Sequence, residues 1–378
     1  MSEIRRAISV AQSPAAAAAD LYAALWQPGC CLALVFVSAS MDLPAFAAAI
    51  ARLFGDVPVA GCTTSGEIGP GGYADGTVVG ISLAAPDFAV SIGLIENLGC
   101  MDLAAMQNTV RCTRLAMHDA APWARHENLF AITLIDGMCG CEELVASAAS
   151  AALAGIPLCG GSAGDGLQFR QTFVLHNGAF HINCALIAVV ATRRRFQAFK
   201  TEHFLPGSEK MVVTEADPRR RVVTEINAEP AAREYARVAG LTLDDLTPAS
   251  FATHPLVVRV GGQCFVRSIQ RANPDGSLVF LCAIDEGVVL TVGCAGDLIG
   301  NLAQSFSAIE ARIGKPDLVI AFDCMLRGFE LDQRRIRDTV GRMMDDNNAA
   351  GFCTYGEQYE AMHMNQTLAG IAIGASHA

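Results

Sequence analysis

Apolar runs alternate with helical patterns along the chain and predict strand–helix–strand units. Residues 30–39, CCLALVFVSA, form a continuous apolar run of β-prone residues, which predicts a strand buried on both faces. The next segment, 42–54, begins with Asp42 and Pro44 at N-cap and first-turn positions and continues with apolar residues at helical spacing. A short apolar run at 57–62 predicts the following strand. Together these segments predict a βαβ-type unit.

The same order of elements recurs along the chain. It is found around 32–85, more loosely around 129–190, and again around 317–373, which indicates an internal repeat. Inside the first repeat, the two runs within 77–96 predict a β-hairpin. We therefore expect an α/β fold with mixed sheets packed centrally and helices outside. Its two pseudo-symmetric halves are expected to be built from repeated βαβ-type units.

The pattern changes between the second and third repeats. Residues 193–221 are polar and basic and predict a linker. Residues 225–240 predict a helix, and 254–287 predict a series of strands joined by turns. The chain then returns to the repeat at 315–324, KPDLVIAFDC.

A short phrase of the sequence occurs in two similar copies, one near each end of the chain. Residues 60–69 read AGCTTSGEIG and residues 350–359 read AGFCTYGEQY. Across the 25 aligned positions that begin at Ala60 and at Ala350, eight residues are identical. Unrelated stretches of ordinary composition share about two. Each copy leaves a predicted strand through a glycine-containing turn that a glutamate follows at once.

Such a turn can hold a polar ligand, because glycine allows close backbone approach and the hydroxyl and amide groups beside it can donate hydrogen bonds. The same turn can instead cap its own strand. Two copies at opposite ends suggest that both turns face one cleft between similar halves. The candidate ligand-binding residues in the two copies are Gly61, Thr64, Gly66, Glu67, Thr354, Tyr355, Gly356 and Glu357.

Among the histidines, His363 lies in EAMHMNQT between two methionines. A neutral imidazole among soft, apolar side chains suits a haem iron, although a lone histidine is also typical of a hydrogen-bonded core. His176 and His181, at the ends of HNGAFH, are the rival iron ligands.

Composition and charge narrow the class of protein. The 378 residues are 52% hydrophobic and 17% charged, so we expect a large core and no extensive disorder. The formal net charge of −11 disfavours a nucleic-acid partner, and the short basic runs 193–195 and 219–221 are expected to be solvated linker faces. We expect neither membrane insertion nor secretion. Many of the 14 cysteines lie in apolar strands, which indicates reduced, buried thiols and a cytoplasmic location.

The sequence offers little sign of catalysis. It contains no GxxxxGK[ST], GxSxG or HExxH motif. Cys139-Gly140-Cys141 lacks the spacing of a zinc or redox pair. An enzyme with Cys62 or Cys353 as nucleophile is a further alternative, but neither has an evident histidine partner in the sequence. We therefore expect that the protein is not an enzyme.

The segments together resemble the FIST sensory domain. VAGCTTSGEIG resembles its N-terminal half; NAEPAAREY, HPLVVRVGGQCFVRS, DGSLVFLCAIDEG, FDCMLR and GFCTYGEQYEAMHMNQTLAGIAIG resemble its C-terminal half. The resemblance implies a FIST N-terminal domain at 28–215, a FIST C-terminal domain at 221–373, and a sensory role in bacterial signalling.

The ending TYGEQYEAMHMNQT also resembles the NosP-type subgroup of haem-containing nitric-oxide sensors. This resemblance implies a cytoplasmic sensor with one haem b, held by His363 or by its rivals His181 and His176. Nitric oxide bound to the iron would regulate a partner histidine kinase.

The second hypothesis is a haem-free sensor of a small zwitterion such as an amino acid. Glu67 or Glu357 would take the ammonium group, and Arg327 would hold the carboxylate in bidentate fashion. Neither hypothesis involves nucleic acid or membrane insertion, and a homodimer is compatible with both.

Overall fold

The computed structural model describes residues 3–100, 102–260 and 262–376. Three of the longer helices begin at Asp42, Asp102 and Asp297, each of which accepts a hydrogen bond from the backbone N–H three residues on. The helices are α1 Pro14–Leu25, α2 Leu43–Phe54, α3 Leu103–Ala120, α4 Glu142–Leu153, α5 Ala231–Ala239, α6 Pro248–Thr253, α7 Leu298–Ile313, α8 Met325–Gln333 and α9 Arg337–Asp346.

The strands fall into two groups along the chain. Those before the predicted linker are β1 Ile4–Ser9, β2 Cys30–Ser38, β3 Val59–Thr64, β4 Glu67–Gly69, β5 Gly72–Ala74, β6 Val78–Ala84, β7 Phe88–Ile95, β8 Leu129–Ile135, β9 Leu158–Ser162, β10 Val174–His176, β11 Ala179–His181 and β12 Ala185–Thr192. Those after it are β13 Phe196–Thr201, β14 Phe204–Asp217, β15 Val222–Ile226, β16 Glu229–Pro230, β17 Leu256–Val260, β18 Gln263–Arg267, β19 Ile269–Ala272, β20 Leu278–Phe280, β21 Val289–Ala295, β22 Pro316–Cys324, β23 Ala349–Thr354, β24 Glu357–Tyr359, β25 Met362–Met364 and β26 Leu368–Gly374.

Three sheets share one plan, and each takes a hairpin from another unit. Their strand orders are β1-β6-β2-β3-β10-β11, β7-β12-β8-β9-β24-β25 and β13-β26-β22-β23-β4-β5. In each sheet the two central strands run parallel, because a helix-containing crossover joins them, and the flanking pairs are antiparallel. The last two strands of each sheet are a hairpin donated by the next unit, so the three units are linked in a ring.

The inner faces of these three sheets form one hydrophobic core. Its contributions are Leu32, Leu34 and Phe36 from β2, Phe130, Ile132 and Leu134 from β8, and Leu318, Ile320 and Phe322 from β22. Phe352 stacks on Phe36 with a ring-centroid distance of 4.9 Å and meets Phe322 edge to face at 5.8 Å. The outer faces are covered by helices: α1 and α2, α3 and α4, and α7 with α9. The predicted mixed α/β class, with central sheets and outer helices, is therefore confirmed.

A fourth sheet is inserted between the second and third units. It has the order β18-β17-β21-β14-β15-β20-β19, with β16 paired to β15, and packs against α5 and α6. We call residues 204–295 the inserted domain, and the three repeat units with β1, β7 and β13 the central body. The predicted boundary between 215 and 221 falls between β14 and β15, inside this sheet.

Two predictions from local pattern are wrong. The predicted hairpin at 77–96 does not form, because β6 pairs with β1 and β2 whereas β7 pairs with β12 in the next sheet. The predicted linker at 193–221 contains β13 and all of β14. Its polarity reflects strands with one solvent-facing side, since exposed and buried positions mix along β14.

Each basic run has exposed arginines, as expected, but also one arginine that is engaged in ion pairs. Arg194 is buried and pairs with Glu3, Asp87 and Asp317, at N–O distances of 2.5, 2.7 and 2.8 Å. Arg221 joins the inserted domain to α4 of the central body through carboxylates on that helix. Both arginines hold segments that are distant in sequence.

A glycine lies at the same place in the second parallel strand of every unit. A Cβ atom on Gly61, Gly160 or Gly351 would lie 1.8, 2.1 or 1.7 Å from a carbonyl oxygen of the neighbouring strand. These glycines let the paired strands approach, so their role in the fold is close packing.

We predict that Gly61→Ala lowers the free energy of unfolding by about 1–3 kcal/mol or more, because the added methyl group must push β2 away from β3. Urea unfolding measured by circular dichroism tests this. Gly99→Ala is the control, since among the described residues its Cβ would meet only Asn183 Oδ1, at 3.8 Å. Equal stability of the Gly61→Ala variant and the wild type would contradict the prediction.

Candidate functional site

The two copies of the repeated phrase meet neighbouring units at equivalent strand ends. Ser65 N–H donates to the Cys353 carbonyl at 2.9 Å, and Cys353 N–H donates to the Gly66 carbonyl at 2.8 Å. The turn of the first copy therefore lies on the strand of the second copy. The turn of the second copy lies instead on Ser162, whose N–H donates to the Gly356 carbonyl at 2.9 Å.

The two glutamates of the phrase are buried and bind their own loops. Glu67 accepts hydrogen bonds from the Thr64 hydroxyl and from the Thr77 N–H and hydroxyl, the last two at 2.9 and 2.7 Å. Glu357 repeats this arrangement with the Thr354 hydroxyl and the Thr367 N–H and hydroxyl, the last two at 3.1 and 2.7 Å. Each carboxyl thus ties a strand end to the start of the strand that closes the unit.

Burial raises the pKa of both carboxyls above the ordinary value for glutamate. It raises the pKa of Glu67, and it raises that of Glu357 to about 8. Both side chains have no exposed surface. Neither carboxylate can meet a ligand unless the loop around it opens.

Tyr355 is fixed by the second unit. Its hydroxyl bonds the Asp165 carboxylate and lies 2.9 Å from the Gly166 carbonyl oxygen, while its ring stacks on Phe169 at a centroid distance of 4.6 Å. Asp165 also accepts the backbone N–H groups of residues 169, 170 and 171. Asp165 therefore shapes its own loop and does not repeat the role of Glu67.

His363 occupies a position between the central body and the inserted domain. Its Nδ1 lies 3.0 Å from Gln358 Nε2 and its Nε2 lies 3.3 Å from the Leu281 carbonyl oxygen. Burial lowers its pKa, so the neutral ring donates from Nε2 and accepts at Nδ1. Both ring nitrogens that could bind iron are engaged. His176 and His181 lie on the β10–β11 hairpin at the edge of the first sheet, with ring centroids 6.4 Å apart.

Arg327 is enclosed in a buried network along α8. Its Nε donates to Asp323 at 2.5 Å, and Asp323 also accepts the Tyr73 hydroxyl. Its Nη1 lies 3.4 Å from His203 Nδ1, and Glu330 holds the other nitrogen of that ring at 2.7 Å. The Nη2 of Arg327 has no partner among the described residues.

An open pocket of about 210 Å³ lies on the other side of α8, where the turn of the first unit meets the third unit. Its lining includes Ser65, Asp75, Leu167, Phe329, Asp332 and Arg337. We call it the central pocket. None of the nine candidate residues lines it, but Ser65 and Cys353 in its wall adjoin Thr64, Gly66 and Thr354 in the chain.

Arg337 is the positive group of the central pocket. Its guanidinium lies 3.1 Å from a carboxylate oxygen of Asp75 and 3.1 Å from one of Asp332, and stands 5.4 Å from the centre of the Tyr73 ring. The side chains of Asp75 and Asp332 are 72% and 54% exposed. Phe329 forms part of the apolar wall. The pocket therefore offers a cation, two accessible carboxylates and an apolar surface.

Other cavities lie away from the repeated turns. One of about 430 Å³ is lined by the 193–197 segment and Arg312, and one of about 340 Å³ lies between α3 and the segment at 124–129. We select the central pocket because the turns of two units meet there.

The key residues of this pocket were not among the sequence candidates. Asp75 and Arg337 are 262 positions apart, so no local pattern connects them. A signal in the sequence is the run of charged residues at 330–346, which follows FDCMLR.

The described part of the chain contains no group of three or more His, Cys, Asp or Glu side chains that could hold a metal ion. Within the same residues, no helix has the length and apolar character needed to cross a membrane.

Comparison with known proteins gives two family matches. The FIST N domain model matches residues 31–229, and the FIST C domain model matches residues 231–360. No curated protein matches the chain significantly. Solved structures of lower similarity include cyanuric acid hydrolase from A. caulinodans, with 11% identity, 99% coverage of both chains and a TM-score of 0.37. A second cyanuric acid hydrolase has 9% identity, coverage of 98% and 99%, and the same TM-score of 0.37.

We predict that Glu357→Gln reduces the pH dependence of stability. The folded chain holds the Glu357 proton up to about pH 8, whereas the unfolded chain releases it near its ordinary pKa of 4.5. The wild type therefore loses stability as the pH rises through this window, by up to about 1.4 kcal/mol per pH unit. Urea unfolding between pH 5 and 9 measures the slope.

The glutamine variant should give a flatter slope, and Glu310→Gln, on the exposed side of α7, should keep the wild-type slope. Identical slopes for all three proteins would show that Glu357 titrates as an ordinary exposed glutamate.

Proposed function

This chain belongs to the FIST family and is a sensory signalling protein, and we propose that its central pocket binds a small zwitterion such as an amino acid. The observation that carries the proposal is the charge pattern around Arg337. One guanidinium and two accessible carboxylates within a single small pocket match the two opposite charges of a zwitterion.

In this proposal the ligand is bound by different side chains from those expected from the sequence. Arg337 replaces Arg327 as the group that binds the ligand carboxylate, because Arg327 is buried against Asp323. Asp75 or Asp332 replaces the glutamates of the repeated phrase as acceptor of the ammonium group. The ligand side chain would lie on Phe329.

The size of the pocket supports a small ligand. Pockets for drug-sized molecules enclose about 300–1,000 Å³, and the central pocket encloses about 210 Å³. The ligand must also compete with Asp75 and Asp332 for Arg337. Ion pairs of exposed side chains contribute about 0–1 kcal/mol each, so this exchange costs little.

Helix α8 provides a route from the pocket to the inserted domain. Its Phe329 and Asp332 line the pocket, while its Glu330 and Arg327 contact the His203 ring. His203 lies directly before β14, the long strand of the fourth sheet. A ligand that moves α8 would therefore move the start of that sheet. A partner protein that contacts the inserted domain could respond; a histidine kinase is the partner that the resemblance to the NosP-type subgroup implies.

Haem and nitric oxide belong to the alternative proposal, and His363, the first of the expected iron ligands, does not fit that group. An iron ligand needs a free imidazole nitrogen, and the two nitrogens of His363 contact Gln358 and the Leu281 carbonyl. The rival ligands His176 and His181 are half-buried on the β10–β11 hairpin. We also keep the proposal that the protein is not an enzyme, since burial raises the pKa of Cys62 and Cys353 and keeps both thiols neutral.

We predict that isothermal titration of the purified protein with the proteinogenic amino acids gives binding by at least one of them. Arg337→Ala should weaken that binding about 10- to 150-fold, which corresponds to the loss of a charge-assisted hydrogen bond pair of about 1.5–3 kcal/mol. Arg342→Ala is the matched control, because Arg342 lies on the same helix and is exposed, and within the described residues its side chain bonds only Thr339.

Gly328→Leu is a second test of the same pocket. A Cβ on Gly328 would point toward Arg337, 3.9 Å from its Nη1, with no closer neighbour. The leucine should therefore fill the pocket and abolish binding without unfolding α8. No binding by any amino acid, or equal affinity of the wild type and both pocket variants, would refute the proposal.

A separate measurement addresses haem. We predict that the protein purified from haem-supplied cells shows no stoichiometric Soret band, and that nitric oxide leaves its absorption spectrum unchanged. His363→Ala should lower stability, because it removes two buried hydrogen bonds, one to Gln358 and one to the Leu281 carbonyl. A stoichiometric Soret band that shifts with nitric oxide and is lost in His363→Ala would restore the haem alternative.

A further inference from the structure

Two cysteines share a tight turn between β8 and α4. Gly140 between them has a positive φ of 67°, which folds the segment back on itself. The Cys141 N–H points to Cys139 Sγ at 3.4 Å, and Cys141 Sγ lies 3.4 Å from the Cys139 carbonyl oxygen. These contacts place the two thiol groups beside each other. Both side chains are partly exposed.

The surroundings of the two thiols differ. Cys141 is the N-cap residue of α4, where the helix dipole favours a negative charge. The hydrogen bond from Cys139 lowers the pKa of Cys141 to about 7, with a further contribution from Arg221, and the pKa of Cys139 is raised. One thiol is thus activated and the other is held protonated beside it.

The chain contains a contrasting pair. Cys30 and Cys31 are also partly exposed, but they lie at an irregularity in the pairing of β2 with β6, and each thiol bonds a different carbonyl group, that of Leu32 for Cys30 and that of Leu83 for Cys31. Burial raises the pKa of Cys30, and it raises that of Cys31 to about 12. Adjacent position in the sequence and exposure alone therefore do not create the environment of Cys139 and Cys141.

We propose that Cys139 and Cys141 are a reversible thiol–disulfide pair, in which Cys141 reacts with a hydroperoxide and Cys139 resolves the product. Redox-sensing cysteines share the features found here: an ionised, accessible thiol next to a second thiol. The sequence spacing alone did not indicate this pair, because the contact depends on the turn at Gly140 and on the start of α4.

The chemistry balances with a hydroperoxide as oxidant. The Cys141 thiolate attacks hydrogen peroxide, the O–O bond breaks, and a sulfenic acid and hydroxide form. The Cys139 thiol then attacks the Cys141 sulfur, the S–S bond forms, and the hydroxyl group leaves as water after taking the Cys139 proton. Hydroxide takes up the proton that Cys141 lost on ionisation. Overall, two thiols are oxidised to one disulfide and one peroxide is reduced to two waters.

The pair adjoins the contact between the central body and the inserted domain. The next two residues, Glu142 and Glu143, both bind the Arg221 guanidinium, and the N–O distance to Glu143 is 2.8 Å. Glu143 also accepts the Ala283 N–H at 2.9 Å. A disulfide at the N-cap of α4 changes the start of that helix and therefore the position of these carboxylates.

The test uses the full-length reduced protein with one equivalent of hydrogen peroxide at pH 7, followed by alkylation and peptide mass spectrometry. The peptide that carries Cys139 and Cys141 should lose two hydrogen atoms, and dithiothreitol should restore both thiols. Cys139→Ser should stop at a Cys141 sulfenic acid that dimedone traps. Cys141→Ser should leave Cys139 unmodified. The double variant Cys30→Ser/Cys31→Ser is the control and should oxidise as the wild type does.

Phenylarsine oxide tests the juxtaposition without oxidation, because trivalent arsenic bridges two neighbouring thiols. Each single serine variant at 139 or 141 should lose one bound arsenical per chain relative to the wild type. Hydrogen–deuterium exchange should increase around residues 219–224 and 281–284 after oxidation. A pair that stays reduced while other cysteines oxidise, or serine variants that behave like the wild type with both reagents, would overturn the proposal.

Discussion

The central body depends on pairs of backbone hydrogen bonds that join three equivalent strand ends. Thr63 bonds the second unit through Phe173 and Gly164, Ser162 bonds the third unit through Tyr355 and Gly356, and Cys353 bonds the first unit through Ser65 and Gly66. Every unit therefore gives a hairpin to one neighbour and receives one from the other. The ring closes only when all three strand registers are correct. Side chains that fix the turns therefore stabilise the whole central body.

This constraint explains the chemistry of the repeated phrase. Glycines at 61, 160 and 351 allow the paired strands to approach, and Glu67 and Glu357 each join a turn to the strand that follows its hairpin. The phrase is repeated because two units use the same residues to pack their paired strands closely and to fix the turn at the strand end. A pocket then forms beside the first turn, where side chains of different units meet without filling the space.

The sequence predicted features that depend on local pattern. Apolar runs such as 30–39 and N-caps such as Asp42 determine single elements, and they were located within a few residues. The loose repeat at 129–190 also indicated the second unit. The choice of partner strand was not predictable, because the β6 and β7 runs are both apolar and only the closed ring determines which sheet each one joins. Strand β14 was missed because its solvent-facing side is polar.

In the candidate site, too, local pattern indicated only part of what the folded chain shows. The phrase identified the strand ends beside the central pocket, but Glu67, Glu357 and Arg327 are buried behind its wall. Asp75 and Arg337, which line the pocket, come together only through the folded chain. A single sequence can thus suggest where strand ends converge, whereas the side chains that face the open space depend on contacts between distant segments.

Charged side chains lie at two of the contacts between the inserted domain and the central body, which suits a signalling role. His203, directly before the inserted domain, meets Glu330 and Arg327 at one of them, and Arg221 meets Glu142 and Glu143 at another. Buried ion pairs contribute little net stability compared with apolar packing, but they disfavour arrangements in which a charge is left unpaired. The two contacts therefore favour a defined position of the inserted domain. The first lies on the helix that lines the central pocket, and the second follows the Cys139–Cys141 pair. A ligand in the pocket and oxidation of the thiols would then act on the same domain through different contacts.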